Sequence, residues 1–451
     1  MLILELMTSL IMWISVMIPI NSYLLGLNER SPFNLLQDIS NQTIFDIIKV
    51  SAEANMNRGD LCGGSAPWDS SSSNGESSQS PIQSPTQSTY VLISQNIPTK
   101  STSTEATGII SDGQNLFVSL NSASTTDYDL MAYDYKDISV PLDKMDTGPG
   151  ILALAYAGKN LFAVNSSINS AMQRFKYDGT ISKLSKIADY KIPWASSNNL
   201  VYASKISFIY PHLFIGLKKN ANEELLSVDL NKIDQGLAGA IDRKWEFDSS
   251  VQDIWPLYDK YQHLLVSSAK EPEISDYCLN CDSVFTGSAS SSNSSSSSIS
   301  INSSPISTFD LFGSLGNVKS LISENNEIYV GRGAGNNELF KINISRDYSS
   351  TTNPKYLYDL VNSIDVNDGI NSMILSGNKL FVATGKNNGT IQIRQKNDLS
   401  KITQTINVSG TIADLECVGD KIYGVGSNYK MNGTTTESVL PIIFELIPEN
   451  K

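Results

Sequence analysis

Histidine is nearly absent: His212 and His263 are the only two in 451 residues. A hydrolytic triad needs a histidine base beside its nucleophile, and neither ring is flanked by a Gly-x-Ser-x-Gly motif. Both histidines stand just before an apolar burst, at the same place in a repeat, which assigns them to turns. Cysteine is scarce as well, with Cys62, Cys278, Cys281 and Cys417. The Cys278-Leu-Asn-Cys281 pair lacks the second half of a zinc site and has no histidine close in sequence. A loop-stapling disulfide between Cys278 and Cys281 is therefore expected, with no metal and no cofactor. Basic residues are few too, 33 Lys and Arg against 46 Asp and Glu, for a net charge of −13. Spread so thinly they give no nucleic-acid footprint. Charged residues make up only 18% of the chain, and the polar surface falls to Ser, Thr and Asn, as in extracellular proteins.

What the chain does have begins with an apolar leader from Leu6 to Leu27. Residues 1–22 read as a signal peptide or an anchor, with Glu5 where a basic residue is usual. Pro19 and Asn21 weaken a membrane span, and Ser22 offers a small residue for cleavage before Tyr23. Residues 23–64 follow as a helical N-terminal segment. Ser31-Pro32 is an N-cap signal, and Phe33, Leu36, Ile39, Ile44 and Ile47 recur near helical spacing. Residues 65–89 form a Ser/Pro/Gln-rich linker, and a serine tract at 285–304 is a disordered insert.

Between 90 and 449 the chain repeats. A turn followed by a short apolar burst recurs seven times, led by Leu116, Leu161, Leu213, Leu264, Ile328, Leu380 and Ile422. The intervals are 45, 52, 51, 64, 52 and 42 residues, the longest holding the serine tract. An apolar run precedes most bursts across a Gly, Asn or Asp turn, which reads as a hairpin. Period-two segments such as 130–135, 225–230 and 391–393 supply a third strand, and 181–187, 356–360 and 402–408 a fourth. Three to four strands in 45 to 50 residues is the arithmetic of a seven-bladed, all-β propeller. The seventh unit lacks a fourth strand, while Tyr90-Val-Leu-Ile-Ser94 stands alone ahead of the first. Pairing of that run with the last blade is expected, since it leaves no open sheet edge.

The segment Leu380-Phe-Val-Ala-Thr-Gly-Lys-Asn-Asn-Gly-Thr-Ile-Gln-Ile393 resembles the strand-turn-strand core of quinoprotein-like and YVTN-type propeller repeats, and 328–342 is a looser copy. The resemblance covers roughly residues 90 to 449 and implies architecture only. The WD dipeptide, the kelch double glycine, the sialidase Asp-box and the tryptophan signature of quinone enzymes are all missing.

Three sets of residues bear on function. Asp112, Asp259, Asp414 and Glu416 lie in or just after inner strands, where a propeller glycosidase carries its acids, although single acids there more often line a wet channel. Asp365-Val-Asn-Asp-Gly369 is similar to a calcium loop, but its glycine comes one residue early and the later glutamate is absent. Arg58, Gly59 and Asp60 spell an adhesion tripeptide that chance also supplies. Asn-x-Ser/Thr acceptors at Asn41, Asn165, Asn343, Asn388, Asn407 and Asn432, with two more at Asn293 and Asn302 in the serine tract, are no more numerous than chance provides.

The expected function is a non-enzymatic, monomeric binding scaffold of the secretory pathway or cell surface. Its loops would recognise a protein or glycan, with membrane contact only through an uncleaved leader. A propeller hydrolase using channel carboxylates, or an adhesion or coat protein, are the alternatives.

Overall fold

The computed structural model describes residues 89–449, apart from 123–125, 168, 196–200, 219–222, 248, 258–262, 271, 280–304, 306, 312–316, 336, 348–354, 386–387 and 433–434. The leader, the N-terminal helix, the 65–89 linker up to residue 88 and the 285–304 insert lie outside the described residues. The rest forms seven four-stranded antiparallel sheets, the blades of a propeller. Six are built from strands consecutive in sequence.

The inner strand of each blade comes first in chain order. These are β2 (Glu105–Ser111), β6 (Ile151–Ala157), β10 (Ala203–Ile209), β14 (Val251–Leu257), β18 (Val318–Glu324), β22 (Ile370–Ser376) and β26 (Thr411–Val418). Each touches the inner strand of the next blade, and β26 touches β2, so the ring is closed. The second strands are β3 (Asn115–Asn121), β7 (Asn160–Asn165), β11 (His212–Leu217), β15 (His263–Ser268), β19 (Glu327–Arg332), β23 (Lys379–Thr384) and β27 (Lys421–Asn432). All seven residues that lead the apolar bursts occupy the second position of these strands, and all are buried.

The bursts are continuous because a second strand is covered on both faces. In β3, Leu116 and Val118 pack with Tyr423 and Val425 of the last blade, while Phe117 between them packs with Leu154 and Leu161 of the second. Full burial of such a side chain stabilises by about 1.5–3 kcal/mol. The hairpins joining first and second strands use the expected turn residues. Gly158, Asn325, Gly377 and Gly419 take φ of 55°, 56°, 54° and 65°, the left-handed region that Gly and Asn enter most easily.

The ring is completed by β1 (Tyr90–Asn96), which pairs antiparallel with β28 (Thr435–Pro448) from Tyr90↔Pro448 to Asn96↔Ile442. The last blade thus has the order β1-β28-β27-β26, as the lone run 90–94 predicts. Tyr90 also reaches the sixth blade. Its backbone N–H donates to Gln404 Oε1 and its carbonyl accepts from Gln404 Nε2, both at 2.8 Å, and its ring meets Phe381 edge-on at 5.2 Å.

Candidate functional site

Every inner strand carries a β-bulge at the same place. The register of each first hairpin skips one residue: Thr107, Leu152, Ser204, Gln252, Lys319, Asn371 and Ala413. The residue before each of these is buried, and each bulge residue is only half-buried. A bulge leaves one residue out of the ladder and re-aims its side chain, a device common beside binding sites. Here it is repeated once per blade around the axis.

Five of the seven bulge residues, from Ser204 to Ala413, line a cavity of about 480 Å³. Ser250, Thr411, Ser427 and Tyr429 add hydroxyls to it, and Lys205 and Lys218 add charge. Neighbouring bulges are tied together. Thr107 Oγ1 donates to Ile151 O at 2.7 Å, Asn371 Nδ2 to Ile412 O at 3.0 Å, and Lys319 Nζ to Gln252 Oε1 at 3.0 Å.

Charge in the cavity is one-sided. Lys205 and Lys218 of the third blade and Lys319 of the fifth flank Gln252, while Glu105 is the one carboxylate in the lining. Glu105 lies on the seam of the first and last blades, accepting from Tyr429 Oη at 3.1 Å. Burial holds the Lys319 ammonium below its usual range, and the charges of Lys205 and Lys218 push it the same way.

The described acids among those singled out in the sequence each accept hydrogen bonds within the fold. Asp112 sits in the turn after β2, where its Oδ1 accepts from the backbone of Gln114 and Asn115. Asp414 is buried on β26 and accepts from Ser372 Oγ, Ile109 N and Leu415 N. Glu416, two residues on, accepts from Cys417 N. Asp259 lies outside the described residues. In the 365–369 loop, Asp365 Oδ1 accepts from Asn367 N and Asp368 Oδ1 from Gly369 N. Among the described residues no group of three or more His, Cys, Asp or Glu is placed to hold a metal ion.

The two histidines do occupy equivalent positions, but each opens the second strand of its blade instead of sitting in the turn before it. His212 Nδ1 lies 3.1 Å from Asp242 Oδ2, and buried His263 Nδ1 lies 2.9 Å from Asp276 Oδ1. Tyr358 Oη hydrogen-bonds the other oxygen of Asp276. Cys278 ends its strand, Ile274–Cys278, and Cys281 lies outside the described residues, as do Cys62, Arg58, Gly59, Asp60, Asn41, Asn293 and Asn302. Asn343, Asn388 and Asn407 are exposed, Asn165 is buried with Oδ1 accepting from Ser167 N, and the backbone of Asn432 ends β27.

Sequence reasoning missed the bulge ring. Its trace is an apolar residue followed by one out-of-phase residue and a small or polar one, as in Ile370-Asn371-Ser372 and Val318-Lys319-Ser320. That pattern interrupts period-two alternation and so weakens the strand signal that would have revealed it.

The architecture places the chain in the class of seven-bladed β-propellers. No protein family matches it, and no curated protein does. Among solved structures it is similar to the β-propeller domain of Myceliophteria thermophila Cps50 (Swd1), at 11% identity and a TM-score of 0.50. That match covers 79% of this chain and 100% of the other. It is also similar to a putative 6-phosphogluconolactonase of Bacteroides fragilis (12% identity, TM-score 0.49, 76% and 98% covered). BamB of Moraxella catarrhalis is a further match (13% identity, TM-score 0.41, 75% and 83% covered). Likeness at this level establishes the fold alone.

Proposed function

We propose that this propeller is a non-enzymatic binding scaffold, exported to the secretory lumen or cell surface, that takes a protein or glycan on the face where the cavity opens. One observation carries the reading. The inner-strand acids Asp414 and Glu416 hydrogen-bond backbone amides and a serine, while Ser, Thr, Asn, Gln and Lys donors line the cavity. Such a wall suits recognition by hydrogen bonds more than acid–base chemistry.

Cysteine usage supports export. Cys417 is buried on β26 and disulfide-bonded. Cys278 ends a strand of the fourth blade, with the fifth and sixth between it and the seventh, and a disulfide requires Cα atoms within about 7 Å. Cys62 is therefore the partner proposed for Cys417, leaving Cys278 to bridge Cys281. Non-reducing peptide mapping of exported chain tests this, and a Cys62 that alkylates without reduction contradicts it.

The functional test stains live cells with labelled full-length chain before and after treatment with protease or glycosidases. Saturable binding that one treatment removes supports the scaffold and names the partner class. Absence of binding overturns it, and turnover of glycoside or ester substrates would favour a hydrolase in its place.

A further inference from the structure

Three ammonium groups converge on one wall of a cavity in a chain whose net charge is −13. Lys205 follows the bulge of the third blade, Lys218 follows its second strand, and Lys319 is itself the bulge residue of the fifth. Among the described residues none of the three has a carboxylate within ion-pair distance, and the neutral Gln252 accepts a hydrogen bond from Lys319. Two buried cations elsewhere are paired with carboxylates, Arg332 with Glu273 and Lys341 with Glu327, while buried Arg394 is held by Gln392 Oε1 and Leu399 O. Lys205 and Lys319 are half-buried and Lys218 is exposed, and like charges gathered with no carboxylate paired to them cost free energy, more so where burial excludes water. Burial first, and then the charges of Lys205 and Lys218, hold the Lys319 ammonium below its ordinary range. An arrangement that costs the free protein stability is relieved when an anion enters.

The rest of the wall defines the anion further. The lining also holds Asn371, whose amide nitrogen donates to Gly385 O and Ile412 O and whose oxygen can accept, and Thr411, whose hydroxyl donates to Ser427 O and keeps lone pairs for a ligand hydroxyl. A cavity of about 480 Å³ falls within the range of small-ligand pockets, roughly 300–1,000 Å³. The apolar members of its lining, Ala106, Val251, Ile412 and Ala413, are outnumbered by polar and charged ones, so a flat hydrophobic ligand has little to bury against. A bare inorganic anion brings few or no donors to those acceptor oxygens, whereas ligand hydroxyls do.

We propose that the cavity binds a hydroxylated anion of the acidic-saccharide class, its acid group held by Lys205, Lys218 and Lys319 and its hydroxyls by the polar wall. The inference rests on the binding reading only for the source of the ligand, since a free sugar acid and the acidic end of a glycan present the same chemistry. It does not depend on the cell-staining result.

The test titrates full-length chain with D-glucuronate, D-glucose or inorganic phosphate at low ionic strength, followed by calorimetry. Glucuronate is expected to bind, glucose not to bind detectably, and phosphate to bind at least about tenfold more weakly than glucuronate. Lys319→Met and Lys205→Met should each weaken glucuronate by about tenfold or more, the loss expected for one charge-assisted hydrogen bond. Ser204→Glu, which sets a carboxylate among the lysines, should abolish it, and thermal melts identify any variant that fails to fold. No glucuronate binding to the native chain, or binding unchanged in the folded variants, overturns the proposal. Phosphate binding as tightly as glucuronate overturns the saccharide class. Glucuronate binding without cell staining would sink the scaffold reading and leave the site standing.

Discussion

The carboxylate of Asp414 accepts a hydrogen bond from the backbone N–H of Ile109 at 3.2 Å, across the seam where the last inner strand meets the first. Its other oxygen accepts from Ser372 Oγ of the sixth blade at 3.0 Å, so one side chain joins three consecutive blades. Removing it orphans buried donors, each costing about 1–3 kcal/mol. Asp414→Ala is therefore expected to lower stability by about 2–4 kcal/mol in urea unfolding. Ser372→Ala should cost about 1 kcal/mol, and the double variant less than the sum, because the two share a bond. An Asp414→Ala chain as stable as the parent would remove the seam role.

A second tie joins the fourth and fifth blades. Arg332 Nη2 lies 2.5 Å from Glu273 Oε1, both buried, and donates to Leu311 O, while Leu311 N donates to Glu273 Oε2. Burial pushes the Glu273 carboxyl above its ordinary value despite the guanidinium beside it. Arg332→Met leaves that carboxylate unpaired and should cost about 3–5 kcal/mol at neutral pH. The loss should shrink as pH falls and Glu273 takes up a proton. Adding Glu273→Gln should recover part of the stability at pH 7. A loss independent of pH would show that packing of Arg332 on Phe340, 4.8 Å from ring to guanidinium, matters more than charge.

Asp129 gives the ring a pH response of its own. Burial raises its carboxyl to about 7, against hydrogen bonds from Thr147 N and Oγ1 that pull it down, and Asp146 and Asp127 add repulsion. Its Oδ1 is buried without a partner. Between the ordinary carboxylate value and about 7 the folded chain holds a proton that the unfolded chain has released, so stability falls as pH rises through that window. Asp129→Asn should remove this slope and, above pH 7, exceed the parent by on the order of 1–3 kcal/mol. Melts from pH 4.5 to 8 check it, and an unchanged slope in Asp129→Asn would assign the response to another group.

The blade count was legible because second strands are buried on both faces. Their bursts, from Leu116 to Ile422, stand out without any alternation. The pairing of 90–94 with the last blade was legible too, as an unpartnered strand facing a blade one strand short. The bulge ring was hidden, since Thr107 or Gln252 interrupts a strand pattern rather than making one. Lys205, Lys218 and Lys319 are likewise spread over more than a hundred residues, and only closure of the ring faces one blade toward another. The structural duties of Asp414 and Glu416 were invisible because their partners include backbone amides and, for Asp414, a serine 42 residues away in sequence.

The most direct test of a ring closed by its own first strand compares two truncations. The strand β1 binds β28 along seven residue pairs and holds Gln404 of the sixth blade through Tyr90. It joins the ends of the domain at a sequence separation that only the native fold brings together, so its loss should release all seven blades. Removing residues 1–87 also removes Cys62 and its proposed bridge to Cys417, so the reference is the full chain carrying Cys62→Ser, and melting temperature and sedimentation should stay near those of that reference. Removing residues 1–97 should lower the melting temperature by several degrees and expose the edge of β28, giving concentration-dependent association in sedimentation. Equal melting temperatures and equal sedimentation of the two truncations would contradict closure by β1.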